Sequence, residues 1–325
     1  MKKFFLLFIV AFLLSCSSEE ETQTINFEGF VFGTTYHFTI VHNQKVNYQK
    51  SIDSLFFLVN KSLSNYISTS DISKINSGDS TIIVDDLFAE VFQKSKKIFK
   101  ETDGYFDPTV GNLVNAWGFG SIESKKEMDS LSIQKIMQFV GLDKVQLKNN
   151  KIKKQFQEIY LDFNSIAKGF GVDVVARFLE SKNIHNYLVE IGGEIRVRGK
   201  NKKGNFWNVA IEKPNTDGTQ SFQTTIQLKN ESMATSGNYR KFRITKDGKK
   251  YVHTVNPKTG FAKESNLLSA SVISSLDCAD VDAYATAFMA MGFEKTKEFL
   301  RLHNNLKVIL IYLNKNNTID EFRNF

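Results

Sequence analysis

The segment Ile159-Tyr160-Leu161-Asp162-Phe163-Asn164-Ser165-Ile166-Ala167-Lys168-Gly169-Phe170-Gly171-Val172-Asp173 decides how the chain is read. An apolar strand ending at Leu161 delivers Asp162 to a strand-to-helix corner. Asn164 and Ser165 are good N-cap residues, and Ile166, Phe170 and Val174 follow at four-residue steps, so a helix is predicted over 165–181. Lys168 then falls in the first helical turn, beside backbone N–H groups that favour anions. Gly169 and Gly171 each cost about 1 kcal/mol in a helix relative to Ala. They imply either a ligand close to that backbone or a second helix packed against it.

Outward from this segment, elements of both kinds alternate. A strand is predicted over 31–41, and an amphipathic helix over 48–66 carries Ile52, Leu55, Val59, Leu63 and Tyr66 on one face. A loop with a short helical turn follows. Asp85 or Asp86 caps a helix with the stripe Leu87, Val91, Ser95 and Ile98, ending near Gly104. Short helices are expected over 109–117 and 132–141, and strands over 144–148 and 157–162. The later half reads as strands at 187–191, 194–198, 207–212, 222–228, 239–245, 251–255 and 268–274. Helices over 278–291 and 294–303 and a closing strand over 307–312 complete it. Short turns between strands imply antiparallel sheets with packed helices, an α+β fold in one domain spanning 29–325.

The 325 residues carry a formal charge of +7, but acidic and basic residues are interspersed and no run of five like charges occurs. Nothing resembles a nucleic-acid-binding arm. Lys2 and Lys3 precede an apolar run from Phe4 to Leu14, too short to span a bilayer and of signal-peptide length. It ends in Leu13-Leu14-Ser15-Cys16, which resembles a bacterial lipobox: residues 1–15 are removed, Cys16 is lipidated, and 16–28 form a flexible acidic tether. The expected address is the periplasmic side of a membrane, inner or outer. With Cys16 lipidated, Cys278 has no disulfide partner and reads as a small buried hydrophobe.

Five further clusters stand out. Gly104-Tyr105-Phe106-Asp107-Pro108-Thr109, leading to Trp117-Gly118-Phe119-Gly120, combines an ordinary cap with aromatics suited to a planar ring. Ile191-Gly192-Gly193-Glu194 is explained by a hairpin turn. Met233 to Arg240 is a hydroxyl-rich turn whose donors suit phosphate. Tyr251 to Gly260 places His253 just before the tight turn Asn256-Pro257-Lys258-Thr259-Gly260. In Asp277 to Thr286, Asp282 and Thr286 are four residues apart and share a helix face. A carboxylate and a hydroxyl are hard oxygen ligands of the kind magnesium takes.

Taken in order, F-G-T-T-Y (32–36), S-N-Y-I-S-T-S-D (64–71), D-G-Y-F-D-P-T-V-G-N-L-V-N-A-W-G-F-G (103–120), L-D-F-N-S-I-A-K-G-F-G-V-D (161–173), I-G-G-E-I-R-V-R-G (191–199), A-T-S-G-N-Y-R (234–240), H-T-V-N-P-K-T-G (253–260) and A-D-V-D-A-Y-A-T-A (279–287) resemble the ApbE family of FAD:protein FMN transferases. The resemblance implies a T-fold-like α+β architecture, magnesium, and FAD as substrate. FMN would pass to a Ser or Thr hydroxyl of an acceptor protein, such as a subunit of a membrane redox pump, with AMP leaving. By position it implies Mg²⁺ on Asp282, Thr286 and the Ser165 carbonyl. Phe32, Tyr66, Tyr105, Phe106, Asp107, Asp162, Lys168 and Val255 would contact FAD, and His253 would act in catalysis together with Lys168. Phe32 stands where many members carry Met, Asn164-Ser165 where Gly-Gly is common, and Asn256 where Asp often precedes Pro. Two other readings use the same residues. Water in place of the acceptor gives FAD hydrolysis to FMN and AMP. A lipoprotein that only carries flavin would not need Asp282, Thr286 or His253.

Overall fold

The computed structural model describes residues 22–122, 128–212, 222–238, 242–244, 250–262 and 265–325. The expected signal segment and Cys16 lie outside them. Strands β1 (Gln23–Val31) and β2 (Thr34–His42) are followed by α1 (Gln49–Leu63), α2 (Asp71–Asn76), α3 (Asp86–Glu101), α4 (Gly111–Ala116) and α5 (Ser130–Met137). Then come β3 (Val145–Lys148), β4 (Lys151–Lys154), α6 (Ala167–Ser181), β5 (Tyr187–Ile191), β6 (Glu194–Arg198), β7 (Trp207–Glu212), β8 (Phe222–Leu228) and β9 (Ser232–Gly237). The chain continues through β10 (Phe242–Ile244), β11 (Lys250–Val252), β12 (Leu267–Ser274), α7 (Cys278–Met291), α8 (Phe293–Leu300), β13 (Lys307–Leu313) and β14 (Ile319–Arg323).

Eight strands form one sheet in the order β1-β2-β5-β6-β9-β12-β13-β14, every adjacent pair antiparallel. On one face α6 packs on β5 and β6, and α7 on β9 and β12, with α1, α3 and α8 outside them. The opposite face is covered by the β7–β8 ribbon, where Trp207, Val209 and Leu228 meet Ile195, Val197 and Met233. A smaller apolar cluster joins α4 and α5 to the segment after β11 through Leu113, Trp117, Ile133 and Val255. Helix α7 lies at the centre, with 11 of its 14 residues buried. Its apolar residues therefore surround it, instead of forming one stripe.

Several expectations change. The single strand over 31–41 is a hairpin, folded at Phe32 (φ 51°) and Gly33 (φ 76°) between the paired residues Val31 and Thr34. Its first strand starts at Gln23, inside the stretch read as a tether, so the domain begins earlier than residue 29. No strand forms over 157–162: only Tyr160 makes an isolated bridge, to Val110. Leu161 is instead held by side chains, its carbonyl accepting from Asn65 and Asn76 and its N–H donating to Asn76 Oδ1. The hydroxyl-rich turn at 233–240 begins as strand β9, paired with β12 over six residues, and β14 was not anticipated. Small polar residues and a solvent-facing edge strand lack the β-branched pattern that marks strands in sequence.

Helix α6 starts at Ala167 with Ile166 at its N-cap and no side-chain cap, so neither Asn164 nor Ser165 caps it. Asn164 donates its N–H to Asp162 Oδ1 at 2.8 Å, making a turn before the helix. The two glycines serve packing. A Cβ on Gly169 would lie 2.4 Å from the Cys278 carbonyl oxygen, and one on Gly171 would lie 2.5 Å from the Phe32 ring. Gly169 thus lets α6 touch the start of α7, and Gly171 makes room for the phenylalanine. Gly169→Ala would gain about 1 kcal/mol of helix propensity but force apart two backbones, at a cost of about 1–3 kcal/mol. The variant is expected to melt at a lower temperature than the unaltered protein in a calorimetric scan; an equal or higher melting temperature would contradict this packing.

Candidate active site

One cavity of about 1120 Å³ opens between the helical face and the loops above it. Its wall includes every flavin-contact, metal and catalytic residue expected from sequence: Phe32, Tyr66, Tyr105, Phe106, Asp107, Asp162, Ser165, Lys168, His253, Val255, Asp282 and Thr286. Only Cys16 stands apart, outside the described residues.

Each is placed by a local cause. Phe32 sits in the left-handed region that non-glycine residues seldom adopt, and its ring packs edge-on to Phe56 at 5.5 Å. Tyr66 follows α1 and is 66% exposed, so it lies at the rim and not in the buried stripe predicted for it. That stripe is Ile52, Phe56, Val59 and Leu63. Asp107 Oδ1 accepts from the Thr109 N–H and hydroxyl at 2.8 and 2.6 Å. Burial pushes the Asp107 and Asp162 carboxyls up to about 6 against the hydrogen bonds they accept. Lys258 and Lys295 stand 5.8 and 5.3 Å from the centre of the Tyr105 ring, making that rim cationic. Val255 belongs to the Trp117 cluster, and Trp117 Nε1 donates to the Gly260 carbonyl at 2.9 Å. The turn after His253 is closed by Gly260 N–H to the Asn256 carbonyl. Asn256 Nδ2 also donates to Ala290 at the end of α7. An aspartate could not make that bond, which accounts for asparagine here.

The polar floor joins three elements. Asp282 is 2% exposed, and its Oδ2 accepts the Gly169 N–H at 3.1 Å. The anion at the start of α6 is therefore the protein's own carboxylate. Thr286 Oγ1 lies 3.2 Å from Ser236 Oγ on β9. Lys168 Nζ pairs with Glu194 Oε1 at 2.5 Å. Burial alone would lower the Lys168 ammonium's pKa, but the charges of Glu194 and Asp282 outweigh it and keep the group protonated. Burial pushes the Glu194 carboxyl up, against the pull of the Lys168 ammonium it pairs with. The sequence pattern assigns Glu194 only to a hairpin turn. Gly192 and Gly193, both at positive φ, do make that turn, with Ile191 paired to Glu194. The overlooked signal is the alternation of Glu194, Arg196 and Arg198, three charged residues on one face of a strand, which require partners.

Those partners hold α6 and α7 together. Arg196 Nη1 bonds Asp173 Oδ1 at 2.6 Å and Asp277 Oδ1 at 2.7 Å. Asp173, fully buried, accepts from the Cys278 and Ala279 N–H groups at 2.9 and 2.8 Å and so caps α7 from a neighbouring helix. Asp277, the N-cap residue, directs its side chain to Lys94, Arg177 and Arg196. Asp280 also pairs with Lys94. Cys278 is buried, as expected of a small apolar residue.

The oxygen set suits magnesium. Asp282 Oδ1 makes no hydrogen bond among the described residues, and the Thr286 hydroxyl and Ser165 line the same cavity. One carboxylate with neutral oxygens leaves positions for phosphate or water.

The sequence profile of the ApbE family matches residues 32–310. The chain belongs to the ApbE family. It is 37% identical over 316 residues to a protein from Haemophilus influenzae named FAD:protein FMN transferase, covering 93% of this chain and 90% of that one. A protein of the same name from Vibrio cholerae is 34% identical over 297 residues, covering 88% and 87%. The solved structure of flavin transferase ApbE from Vibrio cholerae superposes with a TM-score of 0.83 at 32% identity, covering 93% of this chain and 97% of that one. Flavinyl transferase ApbE from Pseudomonas stutzeri, in its apo form, gives 0.82 at 26% identity over 93% and 95%. The α+β architecture expected from the eight motifs is thus the fold of this ApbE protein.

The ion pairs around α7 predict an acid dependence. Burial raises the Asp277 carboxyl, but Lys94, with Arg177 and Arg196, more than reverses this and holds it down to about 2. A carboxyl depressed in the fold stabilises at every pH above its ordinary value of 3.8 and loses that contribution as pH falls toward 2. Asp277→Asn is expected to cost about 1–2 kcal/mol at neutral pH, solvent screening keeping it below a fully buried pair. The gap between variant and unaltered protein should close between pH 4 and pH 2 in denaturant titrations; a gap that persists at pH 2 would contradict the ion-pair account.

Proposed function

We propose that this ApbE protein transfers FMN from FAD to a Ser or Thr hydroxyl of an acceptor protein, releasing AMP. The observation that carries the reading is the gathering of Lys168, Ser165, Asp282, Thr286 and His253, from separate parts of the chain, on one cavity wall. Phe32, Tyr105 and Phe106 on the same wall offer flat apolar surfaces to the rings of FAD.

In the reaction, an acceptor oxygen forms a bond to the phosphorus of the FMN half, and the bond from that phosphorus to the bridging oxygen breaks. The electron pair leaves with AMP. Such a transfer depends on positioning and on neutralising charge on phosphate oxygens. Lys168 brings a permanent positive charge to the cavity floor. Asp282, Thr286 and the Ser165 carbonyl would hold magnesium, which when bound supplies Lewis-acid neutralisation of the diphosphate. His253, partly buried beside the Asn256 turn, would take the acceptor's hydroxyl proton. A hydroxyl is a poor nucleophile without such a base. The buried carboxyls of Asp107 and Asp162, with the Tyr66 rim, would orient the rest of FAD.

Leu13-Leu14-Ser15-Cys16 supports an exported enzyme held to a membrane by lipid on Cys16. Among the described residues no helix is long and apolar enough to cross a membrane. Cys16→Ser is expected to move the protein from the membrane fraction to the soluble fraction of cells; unchanged fractionation would remove the anchor from this account.

The transfer is tested by mixing the protein with FAD, Mg²⁺ and a candidate acceptor, then looking for flavin fluorescence on the denatured acceptor. Retained fluorescence is the expected result, whereas free FMN without labelled acceptor would favour hydrolysis. His253→Ala is expected to lower transfer by about 10²–10⁴-fold while FAD binding, followed by flavin fluorescence, is largely kept. Full transfer by that variant would return His253 to a structural role.

A further inference from the structure

Two carboxylates at the cavity floor compete for one ammonium. Glu194 and Asp282 both act on Lys168 through their charge, yet among the described residues only Glu194 is ion-paired with it. Glu194 is 3% exposed, and its second oxygen, Oε2, is buried with no hydrogen-bond partner. Among the described residues Asp282 takes only the Gly169 N–H, on Oδ2. If Lys168 turned to Asp282, it would occupy the remaining oxygen and set a positive charge where a dication must approach. Lysine has a long flexible stem and three donors, so only a stronger competitor keeps it away.

We propose that Glu194 is a positioning residue that holds Lys168 off Asp282, leaving the Asp282 carboxylate available to a divalent cation. The inference rests on the metal reading above and extends it to a residue outside the ligand set. The hairpin turn at Gly192-Gly193 starts β6 with its first side chain on the helical face, opposite Lys168 at the beginning of α6. A cation bound by Glu194 itself is disfavoured by the same geometry, since it would lie beside an ammonium already in contact with that carboxylate.

The test uses the full protein without FAD, titrated with Mn²⁺ as a paramagnetic stand-in for magnesium, with circular dichroism confirming folding. Glu194→Gln is expected to weaken Mn²⁺ binding at least about tenfold, the scale seen when groups behind a metal ligand are removed. A crystal structure of that variant is expected to show Lys168 Nζ bonded to Asp282. The double variant Glu194→Gln with Lys168→Met removes one charge of each sign and the competitor together. It is expected to bind Mn²⁺ nearly as the unaltered protein does. A double variant that remains as weak as Glu194→Gln would mean that Glu194 touches the metal, overturning the proposal. Unchanged affinity in Glu194→Gln, or Lys168 still at its original position there, would overturn it as well. Should Glu194→Gln fail to fold, the double variant decides alone: Mn²⁺ affinity near that of the unaltered protein is expected, and a loss of affinity would overturn the proposal. Absence of Mn²⁺ binding by the unaltered protein would overturn the metal reading together with this one, whereas the variant outcomes overturn only the role of Glu194.

Discussion

The charged ladder between β6 and α6 is the constraint on which the site depends. Glu194, Arg196 and Arg198 alternate along the helix-facing side of the strand and meet Lys168, Asp173 and Glu180 along the helix. Ile195 and Val197, on the other side of the strand, pack beneath the β7–β8 ribbon. Buried pairs of this kind add little net stability, because desolvation offsets their attraction, but losing one partner strands a charge at a cost of several kcal/mol. Their effect is to penalise every other register of α6 on the sheet. Asp173 extends the constraint by capping α7, so the helix carrying Asp282 and Thr286 is positioned by the same contacts that position Lys168.

Close packing completes what the ladder begins. Gly169 brings the backbones of α6 and α7 together, close enough for its N–H to reach Asp282. That bond uses a donor at the helix start, which is therefore not directed at a phosphate. The cationic contribution of the opening segment to the cavity is thus the Lys168 side chain. Asn65 and Asn76 pin Leu161, and a hydrogen bond from the Asp162 N–H to the Pro108 carbonyl ties the cavity-lining Asp162 and Asp107 segments together. Two loops with no regular structure are made rigid by side-chain amides, which suits residues that must hold a ligand.

Much of the fold was legible. Strands β5 and β6 and helix α7 fall on their expected bounds because β-branched runs, a Gly-Gly turn and an Asp-led apolar stretch are local signals. The β1–β2 hairpin was not, because its turn carries Phe32 in a conformation that only surrounding packing makes tolerable. Strand β9 is not legible in sequence because Ala234, Ser236 and Gly237 have little intrinsic strand preference and Thr235 alone does not mark a strand. They are held extended by β12 on one side, and β6 reaches the strand's start on the other.

The sequence by itself determined the fold class and the eight motifs from which the family follows, since each depends on residue type and spacing within a short stretch. It also determined that Asp282 and Thr286 share a helix face, a consequence of 3.6 residues per turn. Only the tertiary structure decided that Lys168 belongs to Glu194, that Asp173 caps a helix more than a hundred residues away in sequence, and that Asp282 closes the start of α6. Those pairings arise between elements distant along the chain, where charge, burial and backbone approach act together, and no local pattern encodes which partner a buried charge will find.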